Sequence, residues 1–165
     1  MSNKKDKFLK PGAYTAIVTP FMNDGNRLSH GINYSSLENL LFMQKTQGMD
    51  GVVVAGCTGA ASVLTHDEQV EIADFSKKKA LPGLTIIAGD GSNSTQEAVN
   101  LAKRMEQEAN CYLHLSISPY YNKPSDRGLI EHYTAIADNI QGGLILYSVK
   151  SRTVGKGITP YVVEV

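Results

Sequence analysis

Several residues that could transfer protons or act as nucleophiles stand directly after apolar runs in this sequence. Tyr147 ends one such run, where its phenol could pass protons or its ring could simply be half-buried. Cys57 follows another run, and its thiol could act as a nucleophile, although no histidine adjoins it to serve as a base. A pair of tyrosines, Tyr120 and Tyr121, follows a third run. The residue types alone leave these alternatives open.

The elements that would hold these residues alternate between strands and helices. Apolar runs predict strands over residues 14–18, 51–55, 84–88, 113–117 and 144–147. Amphipathic spacing predicts helices over residues 35–47, 65–82, 94–109 and 129–140, with a fifth helix beginning at 159. Repeated βα units predict a parallel sheet with helices outside it. The polar segments after the strands should therefore meet at one edge of the sheet.

Local signals mark the ends of the predicted helices. Thr65 with Glu68, and Ser94 with Glu97, each have the spacing of a capping box. Gly48 is expected to end the first helix. No glycine-rich G-x-G-x-x-G turn follows the first strand, which disfavours a dinucleotide-binding domain.

The composition argues against several classes of function. Lysine plus arginine equal aspartate plus glutamate at 16 each, so we expect neither nucleic acid nor a membrane as a partner. Cys57 and Cys111 fit no metal-ligand spacing, and we expect no metal, no disulfide and a reduced, cytoplasmic protein. The histidines are expected at solvated positions, except that His114 on the fourth strand is expected to face the barrel lumen or the helix layer. Residues 1–10 are expected to form a flexible tail before one domain over residues 11–165.

Five segments of the chain carry a resemblance to a known family: residues 16–21 (AIVTPF), 56–59 (GCTG), 89–93 (GDGSN), 118–124 (SPYYNKP) and 146–153 (LYSVKSRT). In their order and spacing they resemble the dihydrodipicolinate synthase family. The resemblance implies a TIM barrel, which is an α/β fold of eight βα units. It also implies a homo-oligomeric lyase without a cofactor. Such an enzyme condenses pyruvate with L-aspartate 4-semialdehyde through a lysine Schiff base, in the diaminopimelate route to lysine.

The resemblance assigns roles to the matching residues of this chain. Tyr147 would be the general acid/base, and Tyr121 and Cys57 would complete its proton relay, with Cys57 at a position where the family has threonine. Thr58 would hold the pyruvate carboxylate, and Arg152 would hold the carboxylate of the aldehyde. The positions that bind free lysine as an inhibitor in many family members correspond to Asn93, Glu97 and Tyr120.

The length of the chain predicts a partial barrel. A complete (β/α)₈ barrel takes about 250 residues, whereas this sequence contains five predicted strands and begins its fifth helix at Thr159. The family's Schiff-base lysine, on the sixth strand, has no counterpart, so we expect the chain to be inactive alone. Two alternatives stay open. The chain could resemble N-acetylneuraminate lyase or a 2-keto-3-deoxy sugar-acid aldolase, or it could be a non-catalytic half-barrel that associates with itself or with an intact synthase.

Overall fold

The structure is a computed structural model that describes residues 9–23, 31–153 and 157–164. Five strands form one parallel sheet in chain order. They are β1 (Tyr14–Ala16), β2 (Gly51–Val54), β3 (Thr85–Gly89), β4 (Leu113–Ile117) and β5 (Gly143–Tyr147). The helices are α1 (Tyr34–Thr46), α2 (His66–Lys79), α3 (Thr95–Gln107), α4 (Asp126–Ala137) and α5 (Pro160–Glu164). The predicted alternation of strands and helices is confirmed, while residues 1–8 of the predicted tail lie outside the described residues.

The first strand is shorter than its apolar run predicts. Pairing with β2 stops at Ala16, although the Ile17 amide still donates to the carbonyl of Val53 at 3.1 Å. Beyond it the chain leaves the sheet, because the Thr19 hydroxyl donates to the carbonyl of Gly59 at 2.7 Å. This contact joins the segment after β1 to the segment after β2.

The strands end side by side at one edge of the sheet. Val54, the last residue of β2, pairs with Ala88, the last but one of β3, and the last residues of β4 and β5, Ile117 and Tyr147, pair with each other. Parallel strands place the following loops at the same edge. The predicted convergence of the polar segments is therefore confirmed.

The core lies mainly between the sheet and its helices. Leu37 and Leu41 of α1, Ile72 of α2, and Leu101 and Met105 of α3 are at most 1% exposed, as expected for helices that bury one apolar face against a sheet. Successive strand residues point to opposite faces, and the other face of the sheet carries its own cluster. That cluster consists of Val53, Ile87 and Leu113, with Tyr14, Leu115 and Ile145 packed against it.

One of the two predicted capping boxes is confirmed, whereas only one of the two hydrogen bonds of the other box forms. Thr65 Oγ1 accepts from the Glu68 amide, and the Glu68 carboxylate accepts from the Thr65 amide at 2.8 Å. Ser94 likewise accepts from the Glu97 amide. However, the Glu97 carboxylate accepts from the hydroxyl of Ser92 at 2.8 Å, and the Ser94 amide donates to that same hydroxyl. Ser92 thus takes the place of the Glu97 carboxylate as acceptor for the Ser94 amide, and the Glu97 carboxylate binds the Ser92 hydroxyl instead.

The expectation of a solvated position is wrong for His132, whereas His114 faces the helix layer, which is one of the two orientations predicted for it. His114 on β4 is 0% exposed and His132 on α4 is 3% exposed. His114 lies between the sheet and its helices, and His132 lies between helices. A polar partner contacts at least one ring nitrogen of each. Both cysteines are free, with Cys57 exposed and Cys111 buried. Among the described residues, no cluster suits a metal ion and no helix is long and apolar enough to span a membrane.

Candidate active site

A cleft of about 460 Å³ opens at the edge of the sheet where the strands end. Its walls come from the segments that follow β2, β3, β4 and β5. The polar or reactive side chains that line it include Cys57, Ser92, Glu97, Tyr120, Tyr147 and Arg152. Five of these six were predicted as site residues from the sequence, and Ser92 was not.

Residues 89–91 form a closely packed segment that we call the cleft floor. A Cβ added at Gly89 would lie 2.3 Å from the carbonyl oxygen of Ala55, and one added at Gly91 would lie 2.3 Å from the backbone nitrogen of Ile117. No side chain fits at these distances, so glycine is required at both positions because neighbouring backbones approach so closely. Asp90 lies between them and turns its side chain into the interior, where it is 1% exposed.

The backbone of Tyr147 is anchored at the end of β5. Its carbonyl oxygen accepts from the Ser118 amide at 2.8 Å and lies 3.3 Å from the Ser118 hydroxyl and 3.4 Å from the Tyr133 hydroxyl. The two hydroxyls are themselves 2.9 Å apart. Burial raises the pKa of Tyr133 to about 12, against the opposing effect of its hydrogen bond with Ser118, so this phenol keeps its proton. Tyr147 itself lines the cleft, and a phenol in such a position can transfer protons.

Cys57 and Arg152 meet across the mouth of the cleft, although 95 residues separate them in the chain. The Arg152 Nη1 donates to the Cys57 Sγ at 2.8 Å. The Arg152 amide donates to the carbonyl of Val149 at 2.8 Å, which fixes the turn that presents the guanidinium. The pair places a permanent cation beside the cleft, and a guanidinium in such a position can bind a carboxylate with two parallel hydrogen bonds.

Glu97 and Tyr120 occupy the part of the cleft wall that follows β3 and β4. Glu97 reaches the cleft from the first turn of α3 and is held there by the Ser92 hydroxyl. Tyr120 is 37% exposed and lines the same cleft. A carboxylate and a phenol in this arrangement can accept hydrogen bonds from an ammonium group.

Three residues predicted for the site lie outside the cleft lining. Thr58 is exposed next to Cys57. Tyr121 is 91% exposed and has a φ of +68°. Asn93 contributes its backbone carbonyl, which accepts from the side-chain amide of Asn122 at 3.0 Å. The roles of Thr58, Tyr121 and Asn93 therefore remain predictions from the resemblance.

Four polar residues of the cleft lining, Ser62, His66, Gln69 and Ser92, were not predicted as site residues. Gln69 on α2 is 6% exposed, and its side-chain amide donates to the carbonyl of Ala61 at 2.9 Å, which holds the short 3₁₀ turn at Ala61–Val63. Ser92 orients Glu97, as described above. The contact of Gln69 joins two segments, so no residue pattern within one segment could have indicated it, whereas Ser92 lies only five residues before Glu97 and its contact is local.

Comparison with known proteins agrees with this geometry. The sequence model of the dihydrodipicolinate synthetase family matches residues 10–165. The chain belongs to this family. The 4-hydroxy-tetrahydrodipicolinate synthase of Idiomarina loihiensis is 42% identical over 153 residues, which are 93% of this chain and 49% of that protein. The corresponding synthase of Maridesulfovibrio salexigens is 42% identical over 86% of this chain and 46% of its own length. The chain thus spans about half the length of the curated relatives that it matches.

Solved structures of the dihydrodipicolinate synthetase family confirm the fold as part of a TIM barrel. The 4-hydroxy-tetrahydrodipicolinate synthase of Methylacidiphilum fumariolicum SolV superposes with a TM-score of 0.85 at 36% identity, over 94% of this chain and 49% of that one. The chloride-inhibited dihydrodipicolinate synthase of Acinetobacter baumannii, solved with pyruvate, gives a TM-score of 0.79 at 40% identity, over 86% and 47% of the two chains. The five βα units correspond to a partial barrel, as the sequence predicts.

Proposed function

We propose that this chain provides the proton-transfer and carboxylate-binding part of an active site that condenses pyruvate with L-aspartate 4-semialdehyde. The observation that carries the proposal is the convergence of Tyr147, Cys57 and Arg152 on one cleft at the carboxyl edge of the sheet. A tyrosine can move protons during imine formation, while a fixed cation holds an acidic substrate in place. Membership of the family supports the reaction class.

The residues take the following roles in this proposal. Tyr147 is the general acid/base, and the hydrogen bond to its carbonyl holds its backbone at the end of β5. Arg152 binds the carboxylate of the aldehyde, and Thr58 binds that of pyruvate. Tyr121 and Cys57 extend the proton relay. A thiol is a weaker hydrogen-bonding group than a hydroxyl, so we expect a relay through Cys57 to be slower than one through threonine.

The nucleophile of the proposed reaction is a lysine amine outside residues 1–165, in the half of the relatives that this chain does not match. We propose that the chain alone forms no Schiff base, that it acts within a homo-oligomer, and that it is cytoplasmic. Lys150 is the lysine whose reaction with pyruvate must be tested, because it follows β5 within the described residues. Incubation with pyruvate, borohydride reduction and intact mass measurement tests this point. A reduced adduct that maps to Lys150 would contradict it.

A chimera tests the roles of the residues. Residues 10–165 would replace the matching half of the Idiomarina loihiensis synthase, which supplies the rest of the barrel. We expect condensation activity, and a loss of about 100- to 10,000-fold in kcat for Tyr147→Phe. Tyr34→Phe is the matched control, since that phenol bonds Glu71 on the helical surface. Equal rates for the two variants would refute the role of Tyr147, and cleavage of N-acetylneuraminate without condensation would favour a sugar-acid aldolase.

A second candidate function is supported by an apolar hollow beside β5. The hollow has a volume of about 760 Å³ and lies between α4, β5 and α5, where Leu144, Leu146, Ile158 and Val162 line it. Such a surface suits burial against another chain. A non-catalytic half-barrel would associate with itself or with an intact synthase through it. Light scattering and co-purification with a full-length synthase test this function, and a monomer that binds no synthase would refute it.

A further inference from the structure

Three ionisable side chains meet in the interior behind the cleft floor. Asp90 follows β3, His114 lies on β4 and Glu106 lies on α3, and they are 1%, 0% and 8% exposed. His114 Nδ1 contacts Asp90 Oδ2, and His114 Nε2 lies 3.3 Å from Glu106 Oε1. The same Glu106 oxygen accepts from the backbone amides of Gln141 and Gly142 at 2.8 and 2.7 Å. The network therefore joins the cleft floor to the turn before β5.

The geometry requires an extra proton. A neutral imidazole has only one N–H, so it can donate to one of the two facing carboxylates and must present a lone pair to the other. Glu106 Oε1 already accepts two amide protons and therefore faces Nε2 as an acceptor, which assigns the ring proton on Nε2 to that contact. The contact between Nδ1 and Asp90 Oδ2 then needs a proton of its own. Without it, two acceptors would face each other in a site that water does not reach.

We propose that Asp90 and His114 form a buried proton-binding site, oriented by Glu106, whose proton fastens the cleft floor to the sheet and to α3. The proton lies between Nδ1 and Oδ2, in addition to the proton on Nε2. Asp90 is a positioning residue in this arrangement, since its amide donates to the carbonyl of Leu115 while its neighbours Gly89 and Gly91 line the cleft. The site is separate from the proposed chemistry and does not depend on the proposed function.

The charges around the site agree with the retention of a proton. Burial lowers the pKa of His114, but hydrogen bonds and charge interactions with Asp90 and Glu106 outweigh it, so the pKa is raised. Burial also raises the pKa of Asp90. Burial raises the pKa of the Cys111 thiol, on which the charges of Asp90 and of Lys77 on α2 also act. Both members of the pair therefore bind a proton more tightly in the folded protein than in the unfolded chain.

Proton linkage tests the proposal on the complete 165-residue chain. The unfolded pair loses its proton above about pH 6.5, whereas the folded pair keeps it. The unfolding constant should therefore rise about tenfold per pH unit above that value until the folded site releases its proton. Asp90→Asn and His114→Gln should remove this dependence, and His66→Asn, at an exposed position on α2, should keep it. Equal pH dependence in the wild-type protein and Asp90→Asn would overturn the proposal.

A second measurement needs no variant to fold. Proton NMR of the wild-type chain should show a slowly exchanging signal for the proton between Nδ1 and Oδ2 at about pH 7.5, because the site is closed to water. Correlation with the ring nitrogens identifies its origin. A His114 ring that carries a single N–H and no bridging proton at this pH would overturn the proposal, whatever the outcome of the substitutions.

Discussion

Because of His132, the protein should be less stable in mild acid than at neutral pH. Its Nδ1 lies 2.8 Å from Thr95 Oγ1, and its ring packs edge-on against Tyr133 with 5.2 Å between ring centres. The Nε2 atom is buried and has no hydrogen-bond partner among the described residues. Because a charged ring would be poorly solvated here, burial lowers the pKa of His132 to about 4. The folded protein therefore holds this ring neutral.

The size of the effect follows from the difference between the folded and unfolded pKa. A histidine in an unfolded chain has a pKa of about 6.5, and each unit of difference is worth about 1.4 kcal/mol. A folded pKa below the unfolded one means that the unfolded state binds more protons, so the stabilisation is present above about pH 6.5 and is lost as the pH falls towards 4. At about pH 4.5 the loss should reach about 2–3 kcal/mol of unfolding free energy.

Urea denaturation between about pH 4.5 and pH 7.5 measures this loss. His132→Asn keeps a side-chain acceptor near Thr95 but cannot be charged, so its unfolding free energy should depend less on pH over this range. The variant also leaves a cavity between the helices. The two proteins are therefore compared by the change of their unfolding free energy with pH, and not by its absolute value. His66→Asn, at an exposed position, should behave as the wild type. Parallel pH curves for the wild type and His132→Asn would refute the argument.

Three further predictions test the cap, the cleft floor and the exposed thiol. Thr65→Ala removes the confirmed capping box of α2 and should lower the unfolding free energy by about 1 kcal/mol in urea denaturation. Gly91→Ala forces a Cβ to within 2.3 Å of the β4 backbone and should destabilise the protein markedly in thermal unfolding, whereas Gly31→Ala, with only one side-chain atom 3.9 Å away, should be tolerated. Cys57 should react rapidly with a disulfide reagent that leaves buried Cys111 unmodified under native conditions, and Cys57→Ser should abolish the fast reaction.

The helices and strands could be predicted because their signals are local. The run from Gly51 to Ala55 is apolar throughout, as a strand covered on both faces requires, and its residues are all buried. The capping box of Thr65 involves residues three apart and forms as its spacing predicts. The box expected at Ser94 failed because the Ser92 hydroxyl, two residues before it, competes for the same carboxylate. Spacing alone cannot rank such competing partners.

The partners of the buried histidines could not be predicted because most of them are distant in the chain. His114 has the polarity of a surface residue, and its burial is tolerated only because Asp90 and Glu106 contact both ring nitrogens. Nothing in the segment around Asp90 indicates a partner for its carboxylate. His114 lies beside it because β3 and β4 pair.

The same reasoning applies to the contact between Cys57 and Arg152. Each residue was predicted separately, with the thiol in a relay and the guanidinium on a carboxylate, and nothing in either segment indicated that they touch. The sheet brings them together because β2 and β5 end at the same edge. While Arg152 donates to Cys57, that N–H is unavailable for a second acceptor, so an incoming carboxylate must displace the thiol or bind the remaining guanidinium protons. In the proposed function the thiol would therefore compete with the carboxylate ligand of Arg152, a competition that the two segments considered separately could not indicate.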